Sequence, residues 1–134
     1  MKNKKTYIFL SVLLIIVVII WNSVNEPGIK ELKGDFKEVA FIRNEQNTGP
    51  VVRVYSVTVK GEPWIEMEQY GNYMPHNKYG TTRIYFFSNE KPYPSALSLE
   101  DDNIAAEMKH DCLAIYEKDG MSQVKFQKYP FKDQ

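Results

Sequence analysis

The stretch that decides how this protein is built is the apolar run from Tyr7 to Trp21, YIFLSVLLIIVVIIW. It contains no charged residue, and with its flanking residues it extends over 6–24. Those 19 residues, as a helix rising roughly 1.5 Å per residue, cover about 28 Å, close to the ~30 Å hydrocarbon core of a bilayer. The sequence therefore predicts a transmembrane helix over 6–24.

Two other interpretations of this run stay open. The strictly apolar part is 15 residues long, which also suits the hydrophobic region of a cleaved signal peptide or a buried core helix. A cleavage site needs small residues at its −3 and −1 positions, and the end of the run at Trp21 offers no such pair. Trp21 suits an anchor at the membrane interface instead. The favoured interpretation is an uncleaved signal anchor.

Charge at the two ends of the run predicts its orientation. Lys4 and Lys5 precede it, together with Lys2, whereas the first basic residue after it is Lys30. Because positive charge is retained on the cytoplasmic side, we expect a single-pass protein of the cell membrane with an exported C-terminal part. The predicted divisions are a cytoplasmic N-terminus at 1–5, the signal anchor at 6–24, a linker at 25–34 and an extracytoplasmic domain at 35–134.

The exported part is slightly acidic. The whole chain has 17 basic and 17 acidic residues, and without the three N-terminal lysines 14 basic residues remain against the 17 acidic ones. Proteins that bind nucleic acid or anionic lipid need a basic surface, which this composition does not favour. We expect no nucleic-acid partner. The expected partners are the lipid bilayer, through residues 6–24, and another envelope or membrane protein.

The first half of the exported part predicts two strands, a helix and a third strand. The run VVRVYSVTV is rich in β-branched residues and apolar on both faces, which is typical of a central strand. Pro63 lies where a helix can begin, and Trp64, Met67, Gly71 and Met74 then follow at helical spacing. The predicted elements are strands at 39–42, 51–59 and 81–87, with the helix between the last two.

The C-terminal part admits two interpretations of residues 112–118. With 121–128 they flank Asp119-Gly120, a dipeptide preferred in two-residue type I′ hairpins, and that register pairs Ile115 with Val124. Alternatively, a second helix that begins at Ser98 extends beyond Lys109 as far as Lys118. We favour the hairpin, with the second helix ending at about Lys109.

These elements predict an α+β fold. Its parts are an N-terminal single transmembrane helix and a small, mainly antiparallel sheet with two helices on one face, in the order β-β-α-β-α-β-β. The single cysteine, Cys112, excludes an internal disulfide and is expected to be a small buried side chain.

One segment carries candidate ligand-binding side chains. A helix, a loop and the start of a strand hold tyrosines, a histidine and two cations that suit an anionic or carbohydrate ligand; the candidates are Tyr70, Tyr73, His76, Lys78 and Arg83. The alternative is that the tyrosines pack the corner between helix and strand while His76 stays in solvent. We predict no metal site, because His110, Asp111 and Cys112 are adjacent and cannot all converge on one ion. We also predict no catalytic residue and no cofactor, because the sequence has neither a G-x-S-x-G motif nor a glycine-rich loop that could hold a phosphate.

The resulting functional hypothesis is a membrane-anchored extracytoplasmic module that binds or scaffolds a partner, rather than an enzyme. Lys4, Lys5 and Trp21 are its expected anchor residues. The competing hypothesis is an exported enzyme or small-ligand receptor with its site around the segment from Tyr70 to Arg83.

Overall fold

The chain forms two compact units, Met1–Lys30 and Glu31–Gln134, in a computed structural model that describes residues 3–24, 32–44 and 49–132. The first unit contains helix α1, Lys4–Val24. This helix is long and apolar enough to cross a membrane, and none of its span from Lys4 to Ser23 is buried in protein. Its exposed side chains distinguish α1 from the core helix of a globular domain, whereas a membrane anchor and a signal sequence both fit it.

The second unit is built on a five-stranded mixed sheet. Strands follow one another in space in the same order as along the chain, with β2 and β3 parallel and the other neighbours antiparallel. A sheet with helices beside it confirms the α+β class. The strands are β1 at Lys37–Arg43, β2 at Val52–Val59, β3 at Thr81–Ser88, β4 at Cys112–Lys118 and β5 at Val124–Lys128.

Helix α2, Trp64–Tyr73, connects β2 to β3. Parallel neighbours need such a crossover, because the chain must return to the end of the sheet from which it started. The buried residues of α2 are Met67, Tyr70 and Gly71. Gly71 allows the helix to approach β4 closely, since a Cβ at that position would lie 2.4 Å from ring atoms of Tyr116.

The predicted second helix is wrong in its extent. Residues 98–105 form a loop, followed by a 3-10 helix at Ala106–Asp111. The loop is closed by side chains: the Ser98 hydroxyl accepts a hydrogen bond from the Glu100 N–H (3.1 Å), and the Asn103 amide donates to the Ser98 carbonyl (2.7 Å). Polar side chains that satisfy the backbone in this way compete with helix formation.

The prediction that both helices share one face of the sheet is also wrong. Successive side chains of β3 point to opposite faces. Phe86 contacts Tyr70 of α2 edge to face, whereas the next residue, Phe87, belongs to a cluster with Ile104 and with Met108 of the 3-10 helix. The sheet is therefore covered by α2 on one face and by the loop with the 3-10 helix on the other.

The C-terminal hairpin has a different turn and register from those predicted. Lys118 pairs with Val124, so five residues rather than two connect β4 to β5. The Asp119 carboxylate accepts hydrogen bonds from two backbone N–H groups of this loop, and Ser122 rather than glycine takes the left-handed conformation, with φ 61°. The register shifts by three positions, which moves Val124 to the face opposite Ile115.

Candidate functional site

The predicted ligand-binding residues on α2 have different environments. Tyr70 is only 4% exposed, and its ring stacks on Phe36 with ring centroids 4.9 Å apart. Burial raises the pKa of Tyr70 to about 12, so its hydroxyl stays protonated in the core. Tyr73, three residues on, is exposed. Tyr70 thus holds α2 on the sheet, and only Tyr73 of the two tyrosines faces solvent.

His76 is partly buried at the end of the sheet where β3 begins. The Thr82 hydroxyl donates to the Pro75 carbonyl (3.0 Å) and lies 2.9 Å from His76 Nδ1, which assigns the ring proton to Nδ1. His76 Nε2 is buried and has no hydrogen-bond partner among the described residues. Burial, and then the charge of Lys118, lower the pKa of His76, so the ring favours its neutral form.

The last two predicted residues, Lys78 and Arg83, do not lie in one pocket with Tyr70 and His76. Lys78 is exposed, with its ammonium 5.2 Å from the centre of the Tyr79 ring. Arg83 follows Thr82 along β3 and therefore points to the opposite face of the sheet from His76 and Tyr70. Within the part of the chain that the structure describes, Tyr70 and His76 therefore lie on one face of the sheet and Arg83 on the other.

Arg83 belongs instead to a polar network on the face of the 3-10 helix. Its Nε donates to the Glu117 carboxylate at 2.6 Å, and its Nη1 donates to the Asn103 side-chain oxygen at 2.6 Å. Tyr85 donates its hydroxyl proton to the same oxygen at 2.8 Å. Burial lowers the pKa of Arg83, but the hydrogen bond and charge of Glu117, together with the contributions of Tyr85, raise the pKa above its ordinary value, so the guanidinium remains charged.

Asn103 is the centre of this network. It is 5% exposed, and it uses its oxygen for Arg83 and Tyr85 while its amide group donates to the carbonyls of Ser98 and Glu100. A buried side chain with all of these bonds in place fixes the loop to the sheet. Arg83 and Tyr85 are consequently held in position by protein groups.

A cavity of about 240 Å³ lies over this network. It is smaller than the ~300–1,000 Å³ of typical small-molecule pockets, so it can hold one group of a ligand rather than enclose a large molecule. Its charged lining combines cations and carboxylates, and two ion pairs join them, Arg83 to Glu117 and Lys109 to Asp102 (2.9 Å). The lining consists of Arg83, Tyr85, Asp101, Asp102, Asn103, Ile104, Lys109, Ile115, Glu117, Lys125, Gln127 and Phe131.

The chemistry available in this cavity is recognition through hydrogen bonds. Donors and acceptors are both present, and the lining also includes the apolar side chains of Ile115 and Phe131. Such a site matches a ligand group that itself presents both donors and acceptors, as a hydroxyl-rich or zwitterionic group does.

Sequence reasoning found Arg83 but missed Asn103 and Glu117 as its partners. Arg83 and Glu117 are 34 positions apart, and only the antiparallel pairing of β3 with β4 places them opposite each other. Asn103 comes from a loop for which the sequence predicted a helix. The short polar run 101–103 is the one local signal, and by itself it indicates only a solvated segment.

The expected anchor residues lie at the two ends of α1. Lys4 and Lys5 begin the helix, and Trp21 lies in its last turn with 69% of its surface exposed. No family model, no curated protein sequence and no solved structure matches this chain.

Proposed function

We propose that this chain is a single-pass membrane protein, with its N-terminus in the cytoplasm and residues 35–134 outside, that acts as a binding module. The observation that carries the proposal is α1: 21 residues, none acidic in its first turn and none basic in its last. Its uncharged part, residues 6–24, is about 28 Å long at roughly 1.5 Å per residue, which matches the hydrocarbon core of a bilayer. The lysines at its start favour a cytoplasmic N-terminus.

A thiol-labelling experiment on the full chain tests this topology. The only native cysteine, Cys112, is 3% exposed, and burial raises its pKa to about 12, so it gives little background with a maleimide. We expect a membrane-impermeant maleimide to label Ser95→Cys on intact cells and Asn3→Cys only after permeabilisation. Labelling of Asn3→Cys on intact cells would contradict the orientation, and a mature chain that lacks Lys4 would contradict the anchor.

Within this proposal, the binding site is the cavity over Arg83. Its positioned donors and acceptors support recognition of a small polar group, either of a free ligand or of an envelope or membrane partner. The competing small-ligand hypothesis placed Arg83 and Tyr70 in one site. Arg83 lines the proposed cavity, whereas Tyr70 is buried in the core. Tethering to the membrane raises the effective concentration of the module for partners in the same membrane.

Site-specific photocrosslinking in intact membranes tests the cavity. A photoreactive side chain at Gln127, on the cavity, should give a reproducible adduct, and the same group at Lys91 serves as the exposed control outside it. Replacing Lys125 and Asp101 by alanine alters the lining but leaves the Asn103 network intact, so the adduct should be lost while the protein level is kept. Equal adducts from both positions, or an adduct unaffected by the double substitution, would count against the cavity.

A further inference from the structure

An aromatic and cationic cluster lies at the end of the domain where the chain arrives from α1. The Trp64 and Tyr129 rings meet edge to face, with centroids 5.4 Å apart. Lys128 places its ammonium 5.2 Å from the centre of the Trp64 ring, and Lys132 places its ammonium 5.5 Å from that of Tyr129. Next to Trp64, Ile65 is 72% exposed. We call these five residues the basal cluster.

The first described residues of the domain pack beside the basal cluster. The Gly34 carbonyl accepts a hydrogen bond from the Lys60 N–H at 2.7 Å, and a Cβ on Gly34 would lie 2.8 Å from Pro63. Pro63 directly precedes Trp64, and Tyr129 donates its hydroxyl proton to Glu62. The chain therefore enters the domain at the same end that carries the cluster.

The length of chain before that point limits how far this end can be from the anchor. Seven residues, 25–31, separate α1 from Leu32. Fully extended, the eight Cα–Cα steps from Val24 to Leu32 reach at most about 29 Å. If α1 is an anchor, as proposed above, Leu32 stays within this reach of the end of the anchor, and the basal cluster lies at the end of the domain where Leu32 begins it.

The composition of the basal cluster matches the headgroup region of a membrane. Tryptophan and tyrosine are enriched at membrane interfaces, where the ring is partly apolar and its polar group remains hydrated. Lysines beside such rings are attracted to anionic lipid headgroups, and an exposed isoleucine suits the boundary with the acyl chains. In the basal cluster both lysines lie on the aromatic rings, so one surface presents the two kinds of contact together.

We propose that the basal cluster docks on an anionic lipid surface, which holds the domain against the membrane beside its own anchor. This inference rests on the proposed anchoring of α1. Because the domain as a whole is slightly acidic, its net charge does not attract anionic lipid. The attraction comes from Lys128 and Lys132 in the basal cluster. The Arg83 cavity lies on the sheet face covered by the 3-10 helix, whereas Trp64 of the basal cluster belongs to α2 on the other face.

The chain's two tryptophans allow the anchor and the docking to be tested separately. In full-length Trp21→Phe the only tryptophan is Trp64, and in Trp64→Phe it is Trp21. Each variant is reconstituted in phosphatidylcholine vesicles with and without phosphatidylglycerol. Tryptophan emission is then quenched with a lipid carrying a nitroxide near its headgroup, or with iodide on both sides of the bilayer.

The expected result is that the nitroxide lipid quenches Trp64 in vesicles that contain phosphatidylglycerol, with less quenching in neutral vesicles and at high salt. Substituting Lys128→Gln and Lys132→Gln should lower the docking equilibrium constant by about thirty-fold, taking about 1 kcal/mol for each lysine near an anionic surface. The matched control, Lys78→Gln with Lys118→Gln at the opposite end of the sheet, should leave the quenching unchanged.

Three results would overturn the inference, each in a distinguishable way. In the first, the nitroxide lipid quenches Trp21, but iodide still quenches Trp64 in both kinds of vesicle. This result supports the anchor and refutes the docking. Trp64 shielded from iodide but not quenched by lipid indicates a protein contact in place of the membrane. Absence of lipid quenching at Trp21 refutes the anchor, and the docking with it.

Discussion

Replacing Gly71 by alanine tests how closely α2 packs on the sheet. The new Cβ would lie 2.4 Å from ring atoms of Tyr116. That ring cannot easily move away, because Tyr116 is fully buried and its hydroxyl donates to the Asn72 side chain at 2.7 Å. The helix must therefore shift away from β4.

Two opposing effects determine the size of the change. Alanine in place of glycine stabilises a helix interior by about 1 kcal/mol. Overpacking in a well-packed core costs about 1–3 kcal/mol, and a contact this short belongs at the upper end of that range. We expect Gly71→Ala to lower the free energy of unfolding by about 2 kcal/mol, which raises the population of open molecules about thirty-fold.

The native thiol provides the assay on the full chain in detergent micelles. Cys112 begins β4, is 3% exposed and is the only cysteine, so its maleimide labelling requires opening of this part of the sheet. When opening and closing are fast, the labelling rate follows the open population. Gly71→Ala should be labelled about thirty-fold faster, and much of that increase should disappear in a Tyr116→Leu background. Labelling no faster than wild type in Gly71→Ala would refute the close packing of α2 on β4.

Three further predictions concern the polar features of the domain, each measured as a urea midpoint of the full chain in micelles. Asn103→Ala leaves Arg83 and Tyr85 without their shared acceptor and should cost about 2–6 kcal/mol, because each of the two unsatisfied groups costs about 1–3 kcal/mol. Asn89→Ala is the exposed control, and an equal effect would contradict the network. Because the pKa of His76 is lowered on folding, the unfolded chain binds a proton first as the pH falls below about 6.5, so stability is highest above that pH and decreases until the folded-state pKa is reached. His76→Gln should flatten this dependence, and an unchanged slope would assign it to other groups. Asp119→Ala should cost about 1 kcal/mol by removing the acceptor of two loop N–H groups, whereas Asp119→Asn, which keeps one oxygen, should stay near wild type.

The sequence predicted the strands better than their pairing. Alternation and β-branched density are local properties, so β2 and β3 were located nearly to the residue. Whether the two strands are parallel depends on the path of α2 between them, which local patterns do not record. For the hairpin, Asp119-Gly120 indicated a turn, but the side-chain bonds of Asp119 stabilise a longer loop than the dipeptide preference implies.

For the candidate site, too, the sequence predicted local features but not the contacts between distant segments. Arg83 was recognisable as a cation near polar and aromatic residues, but its grouping with Tyr70 and His76 followed proximity along the chain. In a strand, adjacent residues point to opposite faces, so Thr82 reaches His76 while Arg83 reaches Glu117. The partners of Arg83 come from β4 and from the loop at 98–103, and sequence patterns within one segment do not predict such distant contacts.

From the amino-acid order alone come the apolar helix at the N-terminus, the strand-forming segments and the α+β class. Each of these depends on the residues within one segment, whose spacing sets the surface that the segment presents. The tertiary structure alone decided the parallel pair, the opposite placement of α2 and the 3-10 helix, and the meeting of Arg83, Asn103 and Glu117. Those features arise from contacts between distant segments, and the free energy of such contacts depends on the register in which the segments meet.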